Sequence, residues 1–247
     1  MDDKYFTGAK MWKEAKFPIA FTGAGISVPS GIPDFRSPGG VWTKYDPMEV
    51  ATASAIEKNP KKVWDFILET SDLLEKAKPN PAHYALAELE KAGKLMGIIT
   101  QNIDNLHQRA GSKNVVEYHG NFQKYYCNKC RVTYTKDEVK KIISNKIPPY
   151  CKCGGVIRPD VVFFGEPIPQ KAIIGTNDLL NKCDLIVVIG TSGEVSPANT
   201  IPRIVKRNGG KMIEINLGPS YYYDVSDVKF NESADIVLPK LKDIILS

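Results

Sequence analysis

The sequence predicts an α/β fold built on a doubly wound parallel sheet. Three observations carry this expectation: short apolar runs suited to strands buried on both faces, helical patterns between them, and polar or glycine-rich turns after them. The runs are Pro18–Thr22, Met96–Thr100, Val115–Tyr118, Val161–Phe164, Leu185–Gly190, Met212–Asn216 and Ile236–Leu238. The clearest helix starts at Asn80, which can cap it, with Pro81 suited to the first turn and Gly93 able to end it. Ala82, Ala85, Leu86 and Leu89 share one face of that helix and give it an apolar side to lay on the sheet.

Two stretches interrupt the alternation. Residues 37–78 show helical patterns without a clear strand, and residues 124–157 hold a cysteine cluster. Both read as insertions that together form a smaller module, a helical part and a metal-binding part. Residues 1–36, 79–123 and 158–247 then make the sheet domain.

The chain has 247 residues, 43% of them hydrophobic and 25% charged, as in an ordinary globular protein that can bury a core. Its longest uninterrupted apolar run, Leu185 to Ile189, is far too short to span a membrane. The polar start, Met1 to Tyr5, has no signal-peptide pattern, so a cytoplasmic location is expected. The net charge of +5 mildly favours acidic ligands, but the basic residues are scattered, which argues against a nucleic-acid surface.

Small or hydrogen-bonding residues follow six of the runs: Gly23-Ala24-Gly25-Ile26-Ser27, Gln101-Asn102-Ile103-Asp104, His119-Gly120-Asn121, Gly165-Glu166, Gly190-Thr191-Ser192 and Asn216-Leu217-Gly218. Ligands of open parallel sheets bind at the carboxyl ends of the strands, so these turns are expected to line one binding edge. Gly23-Ala24-Gly25 suits close approach of a pyrophosphate, but Val28 stands where the dinucleotide fingerprint has its third glycine, and no ribose-binding acid follows at the usual distance. A tight strand–helix turn explains that loop as well, and a hydride-transferring dehydrogenase loses ground.

Cys127-x2-Cys130 and, twenty residues later, Cys151-x-Cys153 resemble a four-thiolate zinc site, which has no open position for water and is therefore structural. Two disulfides or free thiols are the alternative. Cys183, ahead of an apolar strand, reads as a buried thiol. Of the three histidines, His83 suits packing or capping and His107 a structural place. His119 follows a strand on the expected ligand edge, where a group titrating near neutrality suits a general base.

Together these segments resemble the sirtuin family of NAD-dependent protein deacylases, in its bacterial and archaeal type. Gly23 to Ser27, Ser30-Gly31-Ile32-Pro33-Asp34-Phe35-Arg36, Thr100 to Asp104, His119-Gly120, Gly190-Thr191-Ser192 and Asn216-Leu217 carry the resemblance, which runs from about residue 18 to residue 238, and the cysteines fall where that family has its zinc ribbon. The resemblance implies a Rossmann-like sheet domain. It also implies release of nicotinamide and transfer of the acetyl group of an acetyl-lysine protein or peptide to ADP-ribose, giving 2′-O-acetyl-ADP-ribose. His119 would be the base, and Asn102 would position the ribose through water. Gly23, Ala24 and Gly25 would line the pyrophosphate, and Pro33, Asp34, Phe35 and Arg36 would form a loop over the nicotinamide. Gln101 would hold a ribose hydroxyl, and Ile103 and Asp104 the carboxamide. Gly190, Thr191, Ser192, Asn216, Leu217 and Asp235 would serve the adenosine end. Val161, Val162, Phe163, Phe164, Gly165 and Glu166, with Val195, would pair with the substrate backbone by strand addition. Zinc on Cys127, Cys130, Cys151 and Cys153 would take no part in the chemistry.

Three positions depart from patterns in the family. Gly193 replaces a leucine that many members carry. Ile67 and Thr70 stand where desuccinylating members have a Tyr-x-x-Arg pair, so neutral acyl groups are expected. Protein ADP-ribosyl transfer or removal of longer neutral acyl groups is the alternative activity, a non-catalytic NAD-binding module a more distant one. The protein is expected to act as a monomer.

Overall fold

The computed structural model describes residues 3–35 and 37–247. Six parallel strands form the main sheet in the order β3-β2-β1-β7-β8-β9: β1 (Pro18–Thr22), β2 (Gly97–Thr100), β3 (Val115–Glu117), β7 (Leu185–Ile189), β8 (Lys211–Ile215) and β9 (Val228–Phe230). A second, antiparallel sheet has the order β5-β4-β6, with β4 (Gly120–Cys127), β5 (Thr133–Thr135) and β6 (Ile157–Val161). The chain builds outward from β1 to β3, then crosses to β7 and builds outward the other way. β1 and β7 are therefore neighbours at the point where strand order reverses, the place at which such sheets bind ligands.

Helices cover both faces of the main sheet, and others build the smaller module. In chain order they are α1 (Asp3–Glu14), α2 (Val41–Lys44), α3 (Pro47–Val50), α4 (Ala53–Lys58), α5 (Pro60–Lys76), α6 (Pro81–Lys91), α7 (Leu106–Ala110), α8 (Lys136–Ile143), α9 (Gln170–Leu180), α10 (Thr200–Arg207) and α11 (Ala234–Leu246). Ala20, Ile98, Val187 and Ile213 point to the face packed by Trp12 of α1, Leu86 and Leu89 of α6 and Leu238 and Leu241 of α11. Ile19, Phe21, Ile99, Ile186 and Val188 point to the other, under Leu179 and Leu180 of α9 and Ile201 and Val205 of α10. The strands read as continuous apolar runs because both faces are covered. α6 starts as expected: the Asn80 side chain accepts from the Ala82 amide at 2.9 Å, and His83 Nδ1 accepts from the Asn80 amide at 3.3 Å. No helix among the described residues is long and apolar enough to cross a membrane.

The two insertions pack on each other. Trp64 of α5 is 1% exposed, stacks on Tyr125 of β4 and donates its indole N–H to the carbonyl of Ile157 at 2.8 Å. Trp64, Ile67, Phe122, Tyr125, Ile157 and Phe163 share one core.

The structure corrects the strand expectations at two places. The run Val161–Phe164 is not a parallel strand. β6 ends at Val161 and pairs antiparallel with β4, so five of the six expected turns, not six, follow strands of the parallel sheet. Ile236–Leu238 lies in α11, and the sheet's edge is instead β9, short and interrupted by Lys229. The expected domain bounds at 123/124 and 157/158 fall within β4 and at the start of β6.

Gly120 opens β4 with φ at +76°, and a Cβ there would lie 2.0 Å from the carbonyl oxygen of Asp160. Positive φ and a backbone collision act together, so Gly120→Ala is expected to lower unfolding free energy by about 2–4 kcal/mol, measured by urea denaturation. A loss below about 0.5 kcal/mol would show that the β4–β6 crossing is not so tight.

Candidate active site at the strand ends

The end of β1 meets the end of β7 with no room for side chains. The Gly23 amide donates to the carbonyl of Ile189 and the Gly25 amide to that of Gly190, both at 2.9 Å. A Cβ on Gly25 would lie 2.7 Å from Gly190 Cα, one on Gly23 2.7 Å from Thr191 Cβ, and one on Gly190 2.4 Å from the Ile26 nitrogen. Ala24 begins a 3-10 helix that runs to Ser30. The resulting backbone cradle suits a pyrophosphate, which needs close approach to the main chain.

The turn after β2 is wired into this cradle. Gln101 Nε2 donates to Thr191 Oγ1 at 3.1 Å. Asn102 Nδ2 donates to the carbonyl of Gly23 at 3.0 Å and to Ser27 Oγ at 3.2 Å. Ser27 Oγ donates to Asp104 Oδ2 at 2.7 Å, and Asp104 Oδ1 accepts from the Leu106 amide at 2.9 Å. Burial raises the Asp104 carboxyl above its ordinary range, partly offset by those hydrogen bonds. Ile103 turns toward the core of the smaller module.

Beneath lies a network that sequence reading did not find. Thr22 Oγ1 donates to Thr100 Oγ1 at 2.8 Å and sits 2.9 Å from His107 Nε2. His107 and His83 meet edge to face with ring centroids 5.0 Å apart. Desolvation pushes His83 down to about 4 and His107 well below its ordinary value. Both are neutral scaffold groups, as their positions suggested. Ser27, Thr22 and Thr100 carried no separate signal, because hydroxyl residues at strand ends are also ordinary turn formers.

His119 sits between the two sheets. It follows β3 and precedes Gly120 of β4, and its carbonyl accepts from the Val162 amide at 2.9 Å. Its Nδ1 lies 3.1 Å from the carbonyl oxygen of Gln101. A carbonyl can only accept, so Nδ1 carries the proton and Nε2 keeps its lone pair. Burial lowers the imidazole below its ordinary value, with the Gln101 hydrogen bond a smaller opposing effect.

The remaining expected residues fall around this centre. Phe35 lies tilted against Trp42 with ring centroids 5.2 Å apart, and Asp34 receives the amide and hydroxyl of Ser37 at 2.7 and 2.6 Å. Pro33 lies beside them, half-buried, and Arg36 lies outside the described residues. The Asn216 amide donates to the carbonyl of Phe230 at 3.0 Å, and the Gly190 amide donates to the carbonyl of Ile215, so the β7 and β8 ends adjoin. The Ser192 carbonyl accepts from the Tyr221 amide at 2.8 Å. Leu217 is 70% exposed, and Asp235, bonded to Ser233, lies on the first turn of α11. Gly193, at φ +79°, faces the ring of Tyr222, which a Cβ would approach to 2.8 Å. That ring occupies the space a larger side chain would need. Val195 follows, its carbonyl accepting from the Asn199 amide at 2.9 Å. From Val161 to Glu166 much of the backbone is already engaged. Phe164 donates to the Ala51 carbonyl at 2.8 Å and accepts from the Ala53 amide at 3.2 Å, and the Phe163 amide donates to Glu166 Oε2 at 2.8 Å. Strand addition along the whole stretch is thereby narrowed, most of all at Phe164.

The sulfurs of Cys127, Cys130, Cys151 and Cys153 all lie within 4.8 Å of one another, with 3.5 Å between Cys127 and Cys153 and 3.6 Å between Cys130 and Cys151. No disulfide joins them. A zinc ion with bonds of roughly 2.3 Å sets tetrahedral sulfurs roughly 3.8 Å apart, so the four fit that ion. A Cβ on Gly155 would come within 2.6 Å of Cys127 Sγ, so glycine is needed beside the sulfur. Cys127→Ser is expected to cost the protein its zinc and melt the β4–β6 module, measured by metal analysis and circular dichroism. Full zinc content with unchanged unfolding would remove Cys127 from the ligand set.

A model of the Sir2 family matches residues 23–197. An NAD-dependent protein deacetylase of Sulfurisphaera tokodaii is 50% identical over 232 residues, covering 94% of this chain and 92% of that one. An NAD-dependent protein deacylase of Pyrococcus furiosus is 47% identical over 236 residues, covering 94% of each. A solved Sir2 structure with a p53 peptide and NAD+ superposes with a TM-score of 0.89 at 38% identity, covering 98% of both chains. The chain belongs to the Sir2 family, the sirtuins.

Proposed function

We propose that this chain is an NAD-dependent protein lysine deacetylase that acts on acetyl-lysine in proteins or peptides. The observation that carries the reading is His119, a neutral imidazole with its Nε2 lone pair available, fixed by the Gln101 carbonyl beside a side-chain-free cradle at the strand-order reversal. The relatives named above are deacetylases and deacylases that depend on NAD, and the reading extends that activity to this chain.

NAD, the co-substrate, supplies a ribose carbon that the acyl oxygen attacks as nicotinamide leaves. Gly23, Ala24 and Gly25 seat the pyrophosphate. Gly190, Thr191, Ser192, Asn216 and Leu217 take the adenosine end, with Asp235 at its margin. Gln101 and Asn102 orient the nicotinamide ribose, Asn102 through water, and Ile103 and Asp104 receive the carboxamide. Pro33, Asp34 and Phe35, with Arg36, cover that end and exclude water. Val161 to Glu166 and Val195 flank the acyl-lysine polypeptide. His119 Nε2 takes a proton from the ribose hydroxyls, freeing the 2′ oxygen to receive the acyl group. One water then adds to the acyl carbon as the lysine amine leaves with a proton, so the products are free lysine, nicotinamide and 2′-O-acetyl-ADP-ribose. Zinc on the four cysteines holds the smaller module and stays out of the reaction. The enzyme works as a cytoplasmic monomer without nucleic acid.

Acyl preference follows from α5. Ile67 is 1% exposed among apolar side chains and Thr70 is half-buried, so neither position offers a cation to an acyl carboxylate.

His119→Ala is expected to lower deacetylation by about 10²–10⁴-fold while NAD affinity stays within about threefold, read by nicotinamide release and calorimetry. Near-normal turnover would remove His119 from the chemistry. Burial disfavours the protonated imidazole, so the base form is complete at neutral pH and is lost only as pH falls through the lowered value. The acid limb of kcat/KM should then have its midpoint below 6.5, the ordinary histidine value, and a midpoint at or above it would contradict this placement. Acetyl-lysine should be cleaved at least about tenfold faster than succinyl-lysine, and equal rates would refute the preference.

A further inference from the structure

Arg158 is 0% exposed, an unusual place for a guanidinium, and none of the roles above uses it. Nη1 donates to Glu166 Oε1 at 2.6 Å and Nη2 to Glu166 Oε2 at 2.9 Å, a two-pronged pair. Nη2 also donates to the carbonyl of Val161 at 2.6 Å. The guanidinium carbon lies 3.8 Å from the centre of the Phe163 ring, with Tyr126 at 5.4 Å. Glu166 in turn accepts from the Phe163 amide, and the Glu166 amide donates to the Phe163 carbonyl at 3.0 Å. One side chain thus grips residues 161, 163 and 166, bending the intervening backbone so that Phe164 faces outward at 43% exposed. The same stretch reaches the base, because the Val162 amide donates to the His119 carbonyl.

Burying an ion pair costs desolvation that its attraction often fails to repay, and apolar side chains of the same volume would stabilise a core as well. Arg158 Nε is moreover buried without a partner, a further cost. An arrangement that is a poor source of stability, yet fixes three residues of one loop, is a positioning device. We propose that Arg158 is a positioning residue for the acyl-lysine polypeptide: through Glu166 and Phe163 it holds the 161–166 loop in the shape the substrate backbone pairs with. The inference rests on the reading of that loop as the substrate-binding segment.

The test compares wild type, Arg158→Lys and Glu166→Gln, with an acetylated peptide and NAD varied separately. Lysine keeps the charge but cannot span both carboxylate oxygens and the Val161 carbonyl at once. Arg158→Lys is expected to raise KM for the peptide about tenfold or more, leaving KM for NAD within about twofold. Glu166→Gln should raise peptide KM similarly, and the double variant should be no worse than the more affected single one. A purely structural role would instead lower kcat through loss of folded enzyme, with both KM values unchanged, and that result overturns the proposal. If Arg158→Lys does not fold, Glu166→Gln alone decides, an unchanged peptide KM again overturning it. A folded wild type that releases no nicotinamide with acetylated peptide would overturn the deacetylase reading and this inference with it. An active wild type with unshifted variants overturns this inference alone.

Discussion

Where β1 and β7 end, the Gly25 amide donates to the Gly190 carbonyl at 2.9 Å, and the two backbones come closer than any side chain would permit. The geometry of the site descends from that crossing. It brings the turn after β1 against the turn after β7, and Gln101 and Asn102 then reach across from β2 to Thr191 and Gly23. The Gln101 carbonyl in turn orients the imidazole of His119. Each link is a hydrogen bond between strand ends, the one from Gln101 to Thr191 reaching over β1, so parallel register at the strand ends is what gives the site its dimensions.

The smaller module is attached at the most demanding point of this arrangement. β4 starts one residue after His119, and Gly120 lets it pass beside β6 at a distance no other residue tolerates. The module's own apolar core depends on Trp64 reaching from α5 to the Ile157 carbonyl, so two insertions far apart in sequence close on each other. Rings continue the connection: Phe35 lies tilted against Trp42, which stacks on Phe66 and approaches Phe164.

Much of this was legible in the sequence where one physical requirement dominates. Strands buried on both faces must be apolar throughout, and β1, β2, β7 and β8 were found that way. Asn80-Pro81 announced α6 through capping alone, and four closely spaced cysteines announced their cluster. The failures came where the same residues satisfy two requirements. Val161–Phe164 is apolar because Phe163 packs on Arg158 and Val161 on the small core, not because it is a strand of the main sheet. Ile236–Leu238 is apolar because one face of α11 covers that sheet. β9 escaped because three residues with a lysine in the middle show no pattern. Ser27, Thr22 and Arg158 act through partners 77, 78 and 8 positions away, and no local spacing encodes such pairings.

Two histidines that perform no chemistry set how the folded chain meets acid. His83 and His107 are held neutral by desolvation, His83 down to about 4 and His107 well below its ordinary value, whereas in the unfolded chain both protonate near 6.5. Above that value neither state binds the protons and nothing changes. Below it the unfolded chain takes up protons that the folded chain refuses, so each histidine erodes the native state by up to about 1.4 kcal/mol per pH unit. The His83 contribution levels off near pH 4, and Asp104, whose protonated form burial favours, offsets part of the loss at the acid end. Proton uptake on unfolding is the thermodynamic cost of packing imidazoles beneath the strand ends.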